Sequence, residues 1–154
     1  MVSRNTDGDC IGELWCKGRQ RHHGDGKKMT WSSPYFTKDE MRCQCGCHRD
    51  GMSDTFMKKL TALRAEWGKP MVVNSAYRCT QHPIEARKAK PGAHATGRAV
   101  DIAVQGEDAF HLLHLALNHG FTGIGVQQKG GGRFLHIDDL TAEDGMPRPR
   151  TWSY

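Results

Sequence analysis

The stretch GAHATGRAVDI, residues 92–102, contains a histidine and an aspartate that guide the interpretation of the whole chain. Its second half continues as the apolar run 99–104, which predicts a strand, and Asp101 places a carboxylate inside that strand. A carboxylate among apolar residues is costly unless a partner satisfies it. His94 lies upstream in the same stretch, after a glycine turn. A metal ion bound by both side chains would satisfy the carboxylate.

The composition predicts a single loop-rich domain of the α+β class. The chain has 154 residues, which is about the length of one domain and enough to bury a core. It contains no run of about 18 apolar residues, so we expect no membrane partner. Its net charge of +5 favours acidic surfaces such as cell-wall polymers. The basic residues are scattered without interleaved aromatics, so we expect no nucleic-acid partner.

We predict an irregular N-terminal extension over residues 1–33 and a folded domain over residues 34–154. The extension is rich in Gly, Arg, His and Lys and shows little periodicity. Its start, MVSRNTDGDC, lacks the basic and apolar regions of a secretory signal, so we expect no signal peptide. Solvated loop side chains are the simplest interpretation of its potential metal ligands, which are Cys10, Cys16, His22 and His23.

Two helices are predicted before the first strand. Thr37 and Glu40 have the spacing of a capping box, which predicts a short helix that ends before the cysteine loop. Ser53 is the expected N-cap of a second helix that continues to about residue 67 and ends at Gly68. The apolar face of this second helix comprises Phe56, Leu60, Leu63 and Trp67.

The remaining pattern predicts short strands around one long helix. MVVN, residues 71–74, predicts a buried strand, and residues 79–93 a polar loop. A helix over residues 107–119 is expected to turn Phe110, Leu113 and Leu117 inward. FTGIGVQ and RFLHIDDL, on either side of a KGGG turn, predict a β-hairpin. The tail MPRPRTWSY is expected to be irregular, with aromatic side chains packed back on the domain.

A third potential metal ligand lies in the second arm of this hairpin. His136 in FLHID joins His94 and Asp101, and two imidazoles with one carboxylate suit zinc. Three protein ligands leave a fourth position open for water, as in catalytic zinc sites. On spacing alone, the alternative stays open that these are ordinary buried histidines and a paired aspartate.

The cysteines leave several interpretations open. CQCGC, residues 43–47, would place Cys43, Cys45 and Cys47 on one face if it formed a strand. Some of these thiols could form a second, structural zinc site with Cys79 or His48, or a disulfide could tie the loop to Cys79. Free or partly paired structural cysteines are the third interpretation, since the C-x2-C spacing of zinc knuckles is absent.

Three motifs, in order along the chain, resemble the M15 family of zinc peptidases. They are NSAYRC (74–79), HATGRAVDI (94–102) and FLHID (134–138). The resemblance covers about residues 35–154 and is greatest to the D-alanyl-D-alanine carboxypeptidase-like branch, which occurs in phage lysis enzymes and bacterial cell-wall enzymes. It implies the hedgehog-type α+β fold, in which a small antiparallel or mixed sheet carries zinc and helices pack against the sheet.

The resemblance also implies roles for individual residues. The implied ligands of Zn2+ are His94, Asp101 and His136. Arg78 is implied as a catalytic and substrate-binding residue, because a guanidinium can donate two hydrogen bonds to a carboxylate or a scissile carbonyl. His82, in the loop after Arg78, is a second candidate for substrate binding or proton transfer.

The identity of the general base is open at this point. Many M15 enzymes place a carboxylate three residues before the last ligand histidine, where this chain has Arg133, which cannot accept a proton. Asp138 is predicted to share the face of His136 on the strand. We expect Asp138 to be catalytically important, either as the base or as a carboxylate that orients a ligand histidine.

The resulting functional expectation is a zinc metallopeptidase that cleaves peptidoglycan stem peptides or cross-links. D,D-carboxypeptidase, cross-link endopeptidase and L-alanyl-D-glutamate endopeptidase activities all remain open. We expect a phage lysin, held in the host cytoplasm until a holin releases it, or a virion enzyme in contact with virion or tail proteins. The alternative is a non-catalytic zinc protein that binds the wall or serves the virion structurally. A nucleic-acid-binding zinc protein would require metal on the CQCGC cysteines.

Overall fold

A computed structural model describes residues 30–154 of the chain. Four potential ligands named above lie outside the described residues: Cys10, Cys16, His22 and His23. The same holds for most of the predicted extension over residues 1–33. The described part is an α+β fold, as the sequence predicted.

The described elements follow one another in a mixed order of helices and strands. The helices are α1 (Lys38–Met41), α2 (Asp54–Trp67), α3 (Pro83–Ala86) and α4 (Gly106–Asn118). The strands are β1 (Val72–Ser75), β2 (Ala99–Ala103), β3 (Gly123–Gln127), β4 (Phe134–Asp138) and β5 (Arg150–Ser153). Two short 3₁₀ helices span Ala93–Thr96 and Ala142–Asp144. Within residues 30–154, no helix combines the length and apolar character that crossing a membrane requires.

The five strands form one sheet in the order β1-β2-β4-β3-β5. All neighbouring pairs are antiparallel except β3 and β5, which run parallel. The predicted hairpin is confirmed as β3 and β4. In the centre of the sheet, β2 and β4 pair so that Asp101 lies directly opposite His136. The register of these strands therefore brings two of the predicted metal ligands side by side.

The capping signals of the first two helices are confirmed. The Thr37 side chain accepts a hydrogen bond from the backbone of Glu40, whose carboxylate reaches back to the backbone N–H of Thr37. Ser53 caps α2, and Gly68 ends it with a left-handed φ of 70°. Of the predicted apolar face of α2, Phe56, Leu60 and Leu63 are fully buried. Trp67 is partly exposed.

The predicted inner face of α4 is wrong by one residue. Phe110 is 70% exposed and Leu117 53% exposed, and Leu113 is only partly buried. The buried positions of the helix are instead Ala109, Leu112 and Ala116. Apolar residues occur on more than one side of this helix, so its sequence does not fix its rotation. The packing of α4 against α2 and β4 selects the face that is buried.

Three smaller predictions also need correction. The strand at MVVN is an edge strand rather than a buried one, and Val72 is 63% exposed because one face of β1 meets solvent. The predicted loop over residues 79–93 contains α3. The tail is only partly irregular, because residues 150–153 pair with β3 as the strand β5. That pairing depends on a distant part of the chain, which a local pattern cannot reveal.

The cysteine loop is likewise not a strand. Residues 44–47 form consecutive turns, and Gly46 adopts a φ of 96°. This left-handed conformation favours glycine, since a side chain is strained there. The three cysteines of the loop are therefore gathered by a curled backbone rather than by the alternation of a strand.

Candidate metal centre

Two elements of the sheet and the turn before it carry the predicted metal ligands. His94 lies in the 3₁₀ helix Ala93–Thr96, Asp101 in β2 and His136 in β4. Gly97 reverses the chain between the 3₁₀ helix and β2 with a φ of 72°, and a Cβ at this position would collide with the carbonyl oxygen of Gly51. Glycine at this position therefore allows His94 to fold back over the strand that carries Asp101.

The three side chains meet in a small triangle of ligand atoms. The Nε2 atom of His94 lies 3.2 Å from the Oδ1 atom of Asp101. The Nδ1 atom of His136 lies 3.0 Å from the same oxygen and 3.2 Å from the Nε2 atom of His94. A tetrahedral zinc ion with bonds of about 2.0–2.1 Å separates such ligand atoms by about 3.3 Å. The donor set and the spacing therefore fit zinc, and within residues 30–154 no fourth His, Cys, Asp or Glu side chain joins the triangle.

The remaining ring nitrogen of each histidine has a hydrogen-bond partner. The Nδ1–H group of His94 donates to the carbonyl oxygen of Ala76 at 2.7 Å. The Nε2–H group of His136 donates to the Oδ2 atom of Asp138 at 2.8 Å. These hydrogen bonds favour the tautomers that direct the lone pairs of His94 Nε2 and His136 Nδ1 into the triangle.

Asp138 is held as a buried carboxylate by three neighbours. Arg148 donates to it twice, from Nε at 2.9 Å and from Nη2 at 2.7 Å, and the backbone N–H of Leu140 donates to Oδ1. Burial alone would raise the pKa of Asp138, but the hydrogen bonds from Arg148 and His136 outweigh it and lower the pKa to about 2. Asp138 is therefore ionised near neutral pH and accepts hydrogen bonds, but it is a weak base.

The charge balance of the triangle favours a cation. Burial would raise the pKa of Asp101, but hydrogen bonds from His136 and His94 dominate and hold it well below its usual range. Burial would lower the pKa of His136, but Asp101 and Asp138 together raise it above its ordinary value. The two carboxylates thus stabilise a positive charge at the place where a metal ion would introduce one.

Arg78 lies at the edge of the triangle. Its Nη2 atom is 3.4 Å from the Oδ2 atom of Asp101, and its Nε–H group donates to the Oγ atom of Ser75 at 2.9 Å. On the other side, its Nη1 atom lies 3.5 Å from the carboxylate of Glu85. The structure therefore fixes the guanidinium beside a candidate metal ligand.

Glu85 was not identified from the sequence. It is only 3% exposed, and it accepts hydrogen bonds from the ammonium group of Lys88 at 3.0 Å and from the backbone N–H of Gly92 at 2.8 Å. Burial would raise its pKa, but these hydrogen bonds outweigh it and lower the pKa. Glu85 thus presents a stable negative charge behind Arg78. No spacing signal in the polar loop could have identified it.

His82 lies between α3 and Arg78. Its Nδ1 atom accepts a hydrogen bond from the backbone N–H of Ile84 at 3.2 Å and so caps α3. Burial and the positive charge of Arg78 lower the pKa of His82. The imidazole is therefore mostly neutral near pH 7 and can accept a proton.

The last strand covers the ring of His136. The ring of Trp152 lies 5.1 Å from the His136 ring, centroid to centroid, and the guanidinium of Arg148 lies 5.0 Å from the Trp152 ring. Trp152 faces Gly125 in the parallel pairing, and a Cβ on Gly125 would lie 2.8 Å from the indole. The tail therefore supplies two residues to the site, Arg148 and Trp152, which the sequence patterns did not assign.

Two other groups of the chain do not join this site. Arg133 donates to the carbonyl oxygen of Gly130 at 2.9 Å within the hairpin turn. His111 and His114 are exposed on α4. Within residues 30–154, two clusters could hold a metal ion, the triangle and a group of four cysteines: Cys43, Cys45, Cys47 and Cys79.

The comparison with known protein families agrees with this geometry. A family model described as Peptidase M15 matches residues 34–138, which contain all three triangle residues. The chain belongs to the peptidase M15 family. M15 peptidases are zinc-dependent, so membership indicates a metallopeptidase, a hydrolase of peptide bonds. The resemblance of the three motifs is thereby confirmed for the family, while the carboxypeptidase-like branch stays a prediction. No curated protein matches the chain.

Proposed function

We propose that this M15 peptidase is a zinc enzyme that hydrolyses peptide bonds in peptidoglycan stem peptides or cross-links. The observation that carries the proposal is the buried triangle of His94 Nε2, Asp101 Oδ1 and His136 Nδ1, with sides of 3.0–3.2 Å. Each ring is oriented by a hydrogen bond on its far side. When bound, zinc would supply Lewis acidity that polarises a carbonyl group and lowers the pKa of water.

Arg78 is the side chain that we assign to substrate binding at this centre. Ser75 and Glu85 hold the guanidinium in place, so a substrate meets a preorganised donor. A planar guanidinium can donate two parallel hydrogen bonds to a terminal carboxylate, or stabilise the negative charge that develops on a scissile carbonyl oxygen.

We assign Asp138 to positioning and His82 to proton transfer. Both oxygens of Asp138 are occupied by Arg148 and His136, and its low pKa makes it a poor proton acceptor near neutrality. His82 is half-buried beside Arg78 and neutral near pH 7, which suits a group that takes a proton from water and returns it to the leaving amine.

The substrate class is supported by charge and by the sequence motifs. A net charge of +5 favours association with an anionic cell wall, and salt is expected to weaken that association. The motifs around the triangle resemble those of phage lysis enzymes and bacterial cell-wall enzymes. We therefore propose peptidoglycan peptides as the partner and a phage lysin, or a virion enzyme in contact with tail proteins, as the biological setting.

The experiment that tests the proposal measures zinc content and the release of soluble muropeptides on one preparation of the full chain. We expect bound zinc and released muropeptides, whose new termini identify the cleaved bond. His94→Ala should lose zinc from the triangle and abolish release. The matched control is His111→Ala, which removes an exposed histidine of α4 and should leave both quantities unchanged. Release that survives His94→Ala undiminished would contradict the proposal.

A second candidate function is a non-catalytic zinc protein that binds the wall. It is favoured by the lack of an evident general base. Arg133 stands where a carboxylate is expected. The two buried carboxylates nearby, Glu85 beside Arg78 and Asp138 beside His136, already accept hydrogen bonds. The same experiment separates the two candidates. Zinc in the triangle and wall binding without any released peptide would establish the binding function in place of the peptidase.

A further inference from the structure

Four cysteines converge in a cluster that the proposed peptidase mechanism does not use. Cys43, Cys45 and Cys47 lie in the loop after α1, and Cys79 directly follows Arg78. Their sulfur atoms all lie within 4.8 Å of one another. The Sγ atoms are 3.4 Å apart for Cys43 and Cys45, 3.6 Å for Cys45 and Cys79, and 3.7 Å for Cys47 and Cys79.

These separations fit four thiolates around one ion better than they fit disulfides. Tetrahedral zinc with Zn–S bonds of about 2.3 Å separates neighbouring sulfurs by about 3.8 Å. A disulfide brings two sulfurs to about 2.05 Å and excludes the others. In this cluster Cys45 approaches both Cys43 and Cys79, while Cys79 also approaches Cys47. No single set of pairs explains contacts that are shared in this way.

The backbone around the cluster donates hydrogen bonds to sulfur. The N–H group of Cys79 donates to the Sγ atom of Cys43 at 3.3 Å, and the N–H group of Arg49 donates to the Sγ atom of Cys47 at 3.4 Å. Such donors stabilise the thiolate form and are a common second layer around metal-bound cysteines. The left-handed turn at Gly46 allows the loop to curl so that its sulfurs face inward together.

Arginines lie next to these cysteines in the sequence. One divalent ion and four thiolates carry a net negative charge, which the protein must balance when the site is partly buried. Arg42 and Arg49 flank the loop in sequence, and Arg78 precedes Cys79. Within the described residues, the buried Nε atom of Arg42 has no hydrogen-bond partner. Three arginines thus neighbour the cysteines along the chain, although Arg42 is paired with Asp39 and Arg78 with Glu85 and Asp101.

We propose that Cys43, Cys45, Cys47 and Cys79 bind a structural zinc ion, separate from the metal of the triangle. Four protein ligands close the coordination sphere, which is the pattern of structural rather than catalytic zinc. Binding displaces the thiol protons and ties the loop after α1 to the segment after β1. This site stands on the cysteines alone and does not depend on the reaction at the triangle.

The position of Cys79 gives this ion a consequence for the candidate metal centre, and this part rests on the proposed function. The N–H group of Tyr77 donates to Met41 in α1, and that of Arg78 donates to the carbonyl of His94, each at 3.2 Å. The carbonyl of Ala76 orients the ring of His94. An ion at the cysteines would thus hold the four-residue segment that positions Arg78 and His94.

The test replaces zinc by Co2+ in the full chain and records the sulfur-to-cobalt charge-transfer absorption. Imidazole and carboxylate ligands at the triangle do not contribute to this band, so it reports the cysteines alone. We expect a band with the intensity of four thiolates in the wild type and in His94→Ala. Cys45→Ser and Cys47→Ser, each made singly, should reduce the band in the cobalt protein. Each variant should also bind one zinc per chain less than the wild type. The matched control, Cys10→Ser with Cys16→Ser, removes two thiols outside the described residues and should retain the full band.

Several results would overturn the proposal. The first is a cobalt-substituted wild-type protein that lacks the thiolate band. The second is a disulfide among these four cysteines, detected by mass spectrometry under non-reducing conditions. Loss of the band in the control variant would show that other cysteines are the ligands. If the cysteine variants fail to fold, p-hydroxymercuribenzoate added to His94→Ala should release one zinc per chain, and no release would reject the site. A chain that shows the thiolate band but no peptidase activity would contradict only the proposed function.

Discussion

The two clusters that could hold a metal ion differ in the backbone that carries them. The triangle of His94, Asp101 and His136 is built on paired strands of the central sheet and the turn before them, with every side chain buried. The cysteine cluster takes three of its members from a curled loop, and Cys45 and Cys47 reach the surface. Rigid strands suit a site that must keep one position open for chemistry, whereas a loop gains its order from a closed site.

The two clusters also differ in how their ligands balance the charge of a bound metal ion. The triangle has one carboxylate as ligand, and the second carboxylate, Asp138 behind His136, is already paired with Arg148, so a bound divalent ion keeps part of its positive charge. Four thiolates overcompensate a divalent ion, and the backbone N–H groups of Arg49 and Cys79 donate hydrogen bonds to two of the sulfurs. We therefore expect that substitutions at the triangle change turnover most, and that substitutions at the cysteines change metal content and stability first.

The largest effect is expected at the carboxylate of the triangle. Asp101→Ala removes the shared oxygen that lies 3.0–3.2 Å from both imidazole nitrogens. Because metal catalysis contributes several kcal/mol, we expect kcat/KM for muropeptide release to fall by roughly a thousand-fold or more. Metal analysis should show loss of the triangle zinc only. Asp108→Asn, at an exposed aspartate of α4, is the control, and a similar loss there would contradict the assignment.

The next effect is expected at Arg78. Arg78→Lys keeps the positive charge but removes the planar pair of donors, so kcat/KM should fall by roughly a hundred-fold while zinc content is retained. Steady-state kinetics with metal analysis would measure both. Arg133→Lys makes the same change in the hairpin turn and should have no measurable effect. A full-activity Arg78→Lys enzyme would remove Arg78 from the substrate site.

A smaller effect is expected at Asp138. Asp138→Asn removes the charge that orients His136 and leaves Arg148 without its ion-pair partner. Loss of a carboxylate that orients a metal ligand costs about 10–100-fold in metal affinity or activity. A zinc titration should show weaker binding at the triangle. Because the pKa of Asp138 is about 2, the acidic limb of the wild-type pH profile should persist in the variant. Disappearance of that limb would identify Asp138 as the base.

The most specific effect is expected at His82. Burial and Arg78 lower its pKa below the ordinary value of 6.5, so the neutral, proton-accepting form prevails above that pKa and is lost as the pH falls through it. His82→Asn keeps an acceptor that can cap α3 but cannot titrate. We expect His82→Asn to have a lower kcat than the wild type. The fall in activity at acidic pH that protonation of His82 causes should be absent from the pH profile of the variant. An unchanged profile would exclude His82 from proton transfer.

Much of the fold follows from local signals in the sequence. The caps at Thr37 and Ser53, the stop at Gly68 and the hairpin around the KGGG turn are determined by residues close together in the chain. The motifs also indicated the three triangle residues, because their types and order suit zinc. The structure adds that their ligand atoms converge.

Other features depend on contacts between distant residues and were not predictable. The rotation of α4, which buries Ala109, Leu112 and Ala116, is set by packing against distant elements and not by hydrophobic content alone. The tail becomes a strand only through β3, and only that pairing brings Arg148 to Asp138 and Trp152 to His136. Glu85 is likewise recognised as part of the site only because the structure buries its carboxylate behind Arg78.

The most direct test of the central claim is a zinc titration of the metal-free full chain, with muropeptide release followed at each addition. We predict no release from the metal-free protein, activity that rises in step with zinc bound at the triangle, and no activity from His94→Ala at any zinc concentration. Muropeptide release at the full rate from protein shown to contain no metal would contradict the role of His94, Asp101 and His136 as a catalytic zinc site.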